Sequence, residues 1–171
     1  MEFREIDIKD FRTNPFESIG KEWMLITAQA PVNGKMTANT MTAAWGGMGY
    51  LWNKNAAFIF VRPQRYTKEF IDSSTHFSLS FFGGEKKNEL TYLGRVSGRD
   101  EDKIAASGLH LTYLEDVPCF EEASNVMICR KMYRQTLNEN CFIDKDVLNA
   151  SYPDHDFHDV YVGEIEKIFV K

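Results

Sequence analysis

The chain has 171 residues, of which 43% are hydrophobic, 26% charged and 13% aromatic, and it carries a net charge of −5 at pH 7. That length suits one domain with a core large enough to fold alone, and the composition is globular rather than disordered or fibrous. The acidic balance argues against a nucleic-acid groove, which is built from excess Lys and Arg, but it leaves room for a local basic patch.

A short strand is expected over residues 3–8. Asn14-Pro15-Phe16-Glu17 reads as a helix start, with Asn14 as N-cap and Pro15 at the first helical position, and Gly20 can end that helix. A strand over 23–28 leads into Val32-Asn33-Gly34-Lys35, where Asn-Gly is the strongest short hairpin signal. A second strand follows over 36–45, then a loose stretch, Gly46-Gly47-Met48-Gly49, and a buried strand over 56–61. Residues 66–73 read as a short helix, and 76–82 as a strand with Phe77, Leu79 and Phe81 on one face. Helices are expected over 85–93 and 100–107, the second closed by Gly108. Strands over 126–137 and 160–170 flank a helical turn at 144–149. No repeat, low-complexity tract or Pro/Gly-rich linker divides the chain, so residues 1–171 read as a single domain. Six or seven strands with a few short helices make a mainly β protein, a closed or split antiparallel barrel. The strand–helix alternation of a doubly wound sheet is missing.

The first residues have no apolar core of the kind a secretory signal carries. The longest strongly apolar run, Ala56–Val61, is too short to cross a bilayer. Cys119, Cys129 and Cys141 are odd in number and lack Cys-x-x-Cys spacing, so neither a disulfide framework nor a zinc knuckle is expected. The expectation is a cytoplasmic protein with reduced thiols.

Several motifs invite chemistry and do not sustain it. Gly46-Gly47-Met48-Gly49 begins like a dinucleotide fingerprint, but Trp52 stands where the third glycine belongs and no strand–turn–helix unit surrounds it. Asp154-His155-Asp156-Phe157-His158-Asp159 could hold a metal in principle. Without helical spacing or a second cluster it reads as a solvated polar loop, and no metal site is expected. His76 and His110 stand alone. Cys129 lies beside Arg130, but strand neighbours point to the opposite face, and a small buried hydrophobe is the better reading.

Two segments are more informative. Val61-Arg62-Pro63-Gln64-Arg65-Tyr66-Thr67 places two guanidiniums, a phenol and a hydroxyl where a strand runs into a helix. A phosphate monoester needs such charges and donors. The same residues would equally serve a surface helix whose arginines pair with Glu69 or Asp72, and residue types alone leave both readings open. Thr42-Ala43-Ala44-Trp45 offers small residues, which let a flat ring approach the backbone, beside an aromatic wall. Taken alone it reads first as an ordinary strand beside a core tryptophan.

Together these segments resemble the flavin reductase-like, flavoredoxin-type FMN-binding family. The likeness continues through His76–Phe82 and returns in Phe157-His158-Asp159-Val160-Tyr161-Val162-Gly163-Glu164-Ile165. Relatives often carry Gly-Asp-His where this chain has Asp156-Phe157-His158, and proline where it has Asn55. The resemblance implies a split β-barrel homodimer that binds FMN. Thr42, Ala43, Ala44 and Trp45 would line the isoalloxazine, and Arg62, Arg65, Tyr66 and Thr67 would hold the phosphate. His158 would be the catalytic histidine, near a nicotinamide. The implied activity is NAD(P)H-dependent flavin reduction passing electrons to an acceptor, without membrane or nucleic-acid partners. The alternatives are an electron-transfer protein fed by a redox partner, or a flavin-binding module.

Overall fold

Asn33 and Gly34 adopt left-handed backbone angles, φ 51° and 78°, the geometry that a two-residue hairpin between right-twisted strands requires. They join β2 (Met24–Val32) to β3 (Lys35–Ala43) in a register running from Val32↔Lys35 to Met24↔Ala43. The computed structural model describes residues 2–171. Ten strands and five short α-helices make up that chain. After β1 (Arg4–Ile6), α1 (Pro15–Ser18) starts at Asn14, whose side chain accepts from the Phe16 amide.

Beyond β3 come β4 (Gly46–Leu51), β5 (Lys54–Val61), α2 (Thr67–Ser73), β6 (His76–Phe81), α3 (Lys87–Arg95) and α4 (Lys103–Ser107). The chain ends with β7 (Leu111–Leu114), β8 (Val117–Phe120), β9 (Asn125–Thr136), α5 (Lys145–Ser151) and β10 (Asp159–Val170). The main sheet is antiparallel, ordered β3-β2-β6-β9-β10-β5-β4, with β1 added on β10. No described helix is long and apolar enough to cross a membrane.

Two expectations need correction. Gly46–Gly49 is not loose but the start of edge strand β4, paired with β5 from Gly46↔Ile59 to Leu51↔Lys54. Gly46 serves close approach: a Cβ there would lie 2.8 Å from the Phe58 carbonyl oxygen. Trp52 and Asn53, both at positive φ, turn the chain into β5. The β7–β8 hairpin was also not expected, which with β4 raises the strand number above six or seven. Its turn is Glu115-Asp116 at φ 52° and 60°, a pair without the glycine that announces such turns.

That hairpin explains why the central strands are buried on both faces. Met24, Ile26 and Ala28 of β2, Phe77, Leu79 and Phe81 of β6, and Met127 and Cys129 of β9 enter one core. Leu25, Val126 and Ile128 point into the other, beneath β8, α3 and Leu109. Ser78 faces the second side and satisfies its hydroxyl by donating to the Pro118 carbonyl at 2.6 Å.

In β10 the register against β9 shifts between Val162 and Gly163. A Cβ at Gly163 would stand 2.7 Å from Phe77 Cζ and 3.0 Å from Cys129 Cβ. Gly163→Ala is therefore expected to destabilise the fold by about 1–3 kcal/mol through overpacking. Urea unfolding checks it: the midpoint should fall with the slope unchanged, and an unaltered midpoint would show that Phe77 yields freely.

Candidate functional site

β3 ends at Ala43, and Ala44-Trp45 carry the chain across to β4. Trp45 is half exposed, and its ring lies 5.2 Å from the imidazole of His158. These two rings, with Thr42, Ala43, Ala44 and Arg62, wall a cavity of about 160 Å³. Ala43 is buried at the margin of the main core and Ala44 is half-buried, so only small side chains line this wall, and the Thr42 hydroxyl is taken up by the Leu90 carbonyl of α3.

A second lobe of about 140 Å³ is lined by Arg65, Tyr66, Thr67, Arg95, Ser97 and Lys103, and it shares Met41 and Arg65 with the first. The two lobes together reach the lower end of the roughly 300–1,000 Å³ of ordinary ligand pockets. Three of the second lobe's lining residues are cationic and none is acidic. Arg65 donates to the Gly94 carbonyl at 2.6 Å, and Lys103 Nζ to the carbonyls of Leu93 at 2.9 Å and Val96 at 3.1 Å. Those carbonyls close α3, whose negative dipole end favours cations. They are dipoles, not counter-charges. Burial, then the charge of Arg65, lowers Lys103 to a pKa of about 8. Burial, then the charge of Arg62, pulls Arg65 down as well.

The pairing of either arginine with Glu69 or Asp72 is not found. Arg99 takes Glu69, while Lys68 and Arg134 take Asp72. The two arginines nevertheless have different surroundings. Arg62 ion-pairs with Asp156, donates to the Ser151 carbonyl at 3.0 Å and lies 5.3 Å from the Tyr152 ring. Arg62 lines the first lobe and Arg65 reaches both. Thr67 is buried at the start of α2, where its hydroxyl accepts from Asn39 Nδ2 at 3.1 Å. The Tyr66 ring packs edge-on against Phe70 and beneath the Arg99 guanidinium.

All nine candidate residues thus line the two lobes. Arg95, Ser97 and Lys103 complete the second lobe and were not singled out from sequence. The one available signal was a lysine opening a helix beside Ile104 and Ala105, where it is only 5% exposed. In the polar loop, His155 lies 3.3 Å from Glu139, Asp156 holds Arg62 and Gln64, and Asp159 holds Lys68, Arg134 and Thr136. Cys129 is fully buried, and burial pushes its thiol up, away from the reactive thiolate.

His158 is 7% exposed, and its Nδ1 lies 2.8 Å from the Tyr152 hydroxyl. Burial, followed by the charge of Arg62, lowers its pKa to about 4 against the partial opposition of Asp156. It is neutral at physiological pH.

Residues 16–171 match the family model described as "Flavin reductase like domain". The chain belongs to the flavin reductase-like family. Solved relatives carry the same split-barrel fold. A flavoredoxin from Methanosarcina acetivorans is 26% identical with a TM-score of 0.63, the match covering 87% of this chain and 68% of that one. An FMN-binding domain of a flavin reductase-like enzyme from Shewanella baltica has 14% identity and a TM-score of 0.66, covering 99% and 77%. An NADH:FAD oxidoreductase from Streptomyces globisporus, solved with NAD and FAD fragments, has 14% identity and a TM-score of 0.62, covering 87% and 74%. No curated protein matches the sequence.

The depressed pKa of His158 has a thermodynamic consequence in this family member. The unfolded chain takes up that proton near pH 6.5, the folded chain only near pH 4. Stability from this group is complete above pH 6.5 and is lost as pH falls toward 4, by up to about 3 kcal/mol. His158→Gln should remove that component, so the difference between wild-type and variant unfolding free energies should shrink across this window. Parallel curves between pH 4 and 7 would contradict it.

Proposed function

We propose that the two-lobed cleft binds FMN and that the protein is an NAD(P)H-dependent flavin oxidoreductase. The observation that carries the reading is the second lobe, where Arg65, Arg95 and Lys103 converge without a carboxylate. Partly buried cations held only by carbonyls favour an arriving anion, because charge-assisted hydrogen bonds to phosphate restore what desolvation removed. The first lobe suits the isoalloxazine: small residues at Ala43 and Ala44, Trp45 as a wall, and a neutral His158 at its edge. Arg65 reaches both lobes, so one ligand carrying a ring and a phosphate would span them.

Among the four phosphate candidates, Arg65, Tyr66 and Thr67 line the anionic end, and Arg62 holds the 138–157 segment against the ring end. When bound, FMN supplies the redox chemistry, taking a hydride from the nicotinamide and passing electrons onward, while the protein contributes orientation and electrostatics. Family membership and the NADH:FAD oxidoreductase among the fold relatives support the nicotinamide donor. The flavoredoxin relative supports a second reading, an electron-transfer protein served by another redox protein.

Trp45, which walls the ring lobe, and Tyr50 and Trp52, toward the other end of edge strand β4, are all exposed. Exposed aromatics along an edge strand favour a two-fold homodimer that covers them. The three free cysteines suit the reducing cytoplasm.

One anaerobic titration tests the assignment. Arg65→Ala should weaken FMN by about 1.5–3 kcal/mol, roughly ten- to a hundredfold, and leave riboflavin unaffected. Equal losses for both ligands would displace the phosphate from this lobe. Adding NADH or NADPH to the wild-type complex should bleach the flavin rapidly; inertness to both would favour the electron-transfer reading.

A further inference from the structure

The excursion between β9 and β10 packs against Arg62 and His158 of the ring lobe and carries an aromatic cluster with it. Tyr152 lies at its centre, 5.6 Å from the Phe142 ring and 5.0 Å from the Phe157 ring. The segment is fastened to the barrel by Arg62, which grips the Ser151 carbonyl and Asp156 on either side of that tyrosine. Tyr152 is only 5% exposed, yet its hydroxyl lies 2.8 Å from Nδ1 of His158.

The direction of that hydrogen bond decides what His158 presents to the cleft. Among the described residues, Nδ1 is the single partner of the Tyr152 hydroxyl. If the imidazole donated instead, the phenolic hydrogen would be left buried without an acceptor, which is costlier than reversing the bond. The phenol therefore donates, Nδ1 accepts, and the proton of the neutral ring resides on Nε2. Burial keeps the phenol protonated and the imidazole uncharged, consistent with this arrangement. Nε2 has no partner among the described residues, and His158 lines the ring lobe.

We propose that Tyr152 is a positioning residue that fixes His158 in the Nε2–H form, so that the cleft offers one neutral hydrogen-bond donor to a carbonyl oxygen of its ligand. The inference rests on the flavin–nicotinamide reading for the ligand but not for the tautomer. Two ligand groups share the required chemistry: a ring carbonyl of the isoalloxazine and the carboxamide of the nicotinamide. In either case the donor works without net charge and without giving up its proton. His158 then orients its ligand and is not the acid that protonates it. The tyrosine's influence reaches the ligand only through the imidazole.

Tyr152→Phe removes the hydroxyl and keeps the ring between Phe142 and Phe157. Nitrogen-15 spectra of the histidine rings, recorded on the whole protein without ligand, should show His158 as Nε2–H in wild type and as a tautomer mixture in the variant. His158→Gln assigns the signal. Flavin titration and stopped-flow reduction by NADH then read the consequence. A loss of roughly tenfold in FMN affinity places the donor on the flavin; a similar loss in reduction rate or NADH saturation, at unchanged FMN affinity, places it on the carboxamide. Wild-type His158 found as Nδ1–H, or a variant unchanged in tautomer, affinity and rate, would overturn the proposal. Should the wild type bind no flavin, the functional reading fails while the spectra still decide the tautomer.

Discussion

The site depends on positive charge held out of water without a negative partner. Arg65 and Lys103 approach each other because both reach for the carbonyls that end α3, and those dipoles only partly offset the cost of desolvating two cations. Everything around them serves that placement. β5 must end where it does, with Pro63 unable to continue the ladder, for Arg65 to turn inward. α3 must lie against β3, and Gly94 allows it: a Cβ there would stand 3.2 Å from Thr42 Cβ. The same packing draws Thr42 onto the Leu90 carbonyl, so the strand that walls the first lobe and the helix that ends at the cationic lobe are locked to each other.

Much of the fold was legible where a local rule had no competitor. Asn33-Gly34 makes one turn and sets the β2–β3 register; Asn14-Pro15 starts a helix; Gly108 at φ 76° ends another. The misses share a cause, which is that tertiary contact overrode local propensity. Gly46-Gly47-Met48-Gly49 has the composition of a loop, and it is a strand because β5 offers a ladder; at Gly46 the Phe58 carbonyl and Met24 leave no room for a side chain. The β7–β8 hairpin holds Pro118 and turns at Glu115-Asp116, yet the second core needs a cover for β6.

The candidate site divides along the same line. Residues adjacent in sequence, Thr42 to Trp45 and Arg62 to Thr67, could be read as groups because their spacing already shows their chemistry. Arg95, Ser97 and Lys103 enter the cleft from other elements, and apart from the apolar neighbours Ile104 and Ala105 that follow Lys103 nothing in their own neighbourhood distinguishes them from surface residues. Tyr152 is harder still. Its importance comes from a partner six positions away across an irregular segment, and only the folded path of that segment reveals it.

The burial of β2, β6 and β9 on both faces has a consequence for how the molecule opens. Amides in those strands exchange with solvent only when two cores separate, so they should be among the slowest in the chain. β4 lies at the edge, rich in exposed glycine, and its amides should exchange by local fraying. Trp45 stands between the two terminal strands of the sheet order, joined on one side to β3 and on the other to β4. The ring lobe is thus built where two edges meet: its Thr42 wall is pinned to α3 through the Leu90 carbonyl, while its Trp45 wall has no such tie among the described residues and can breathe without unfolding the barrel.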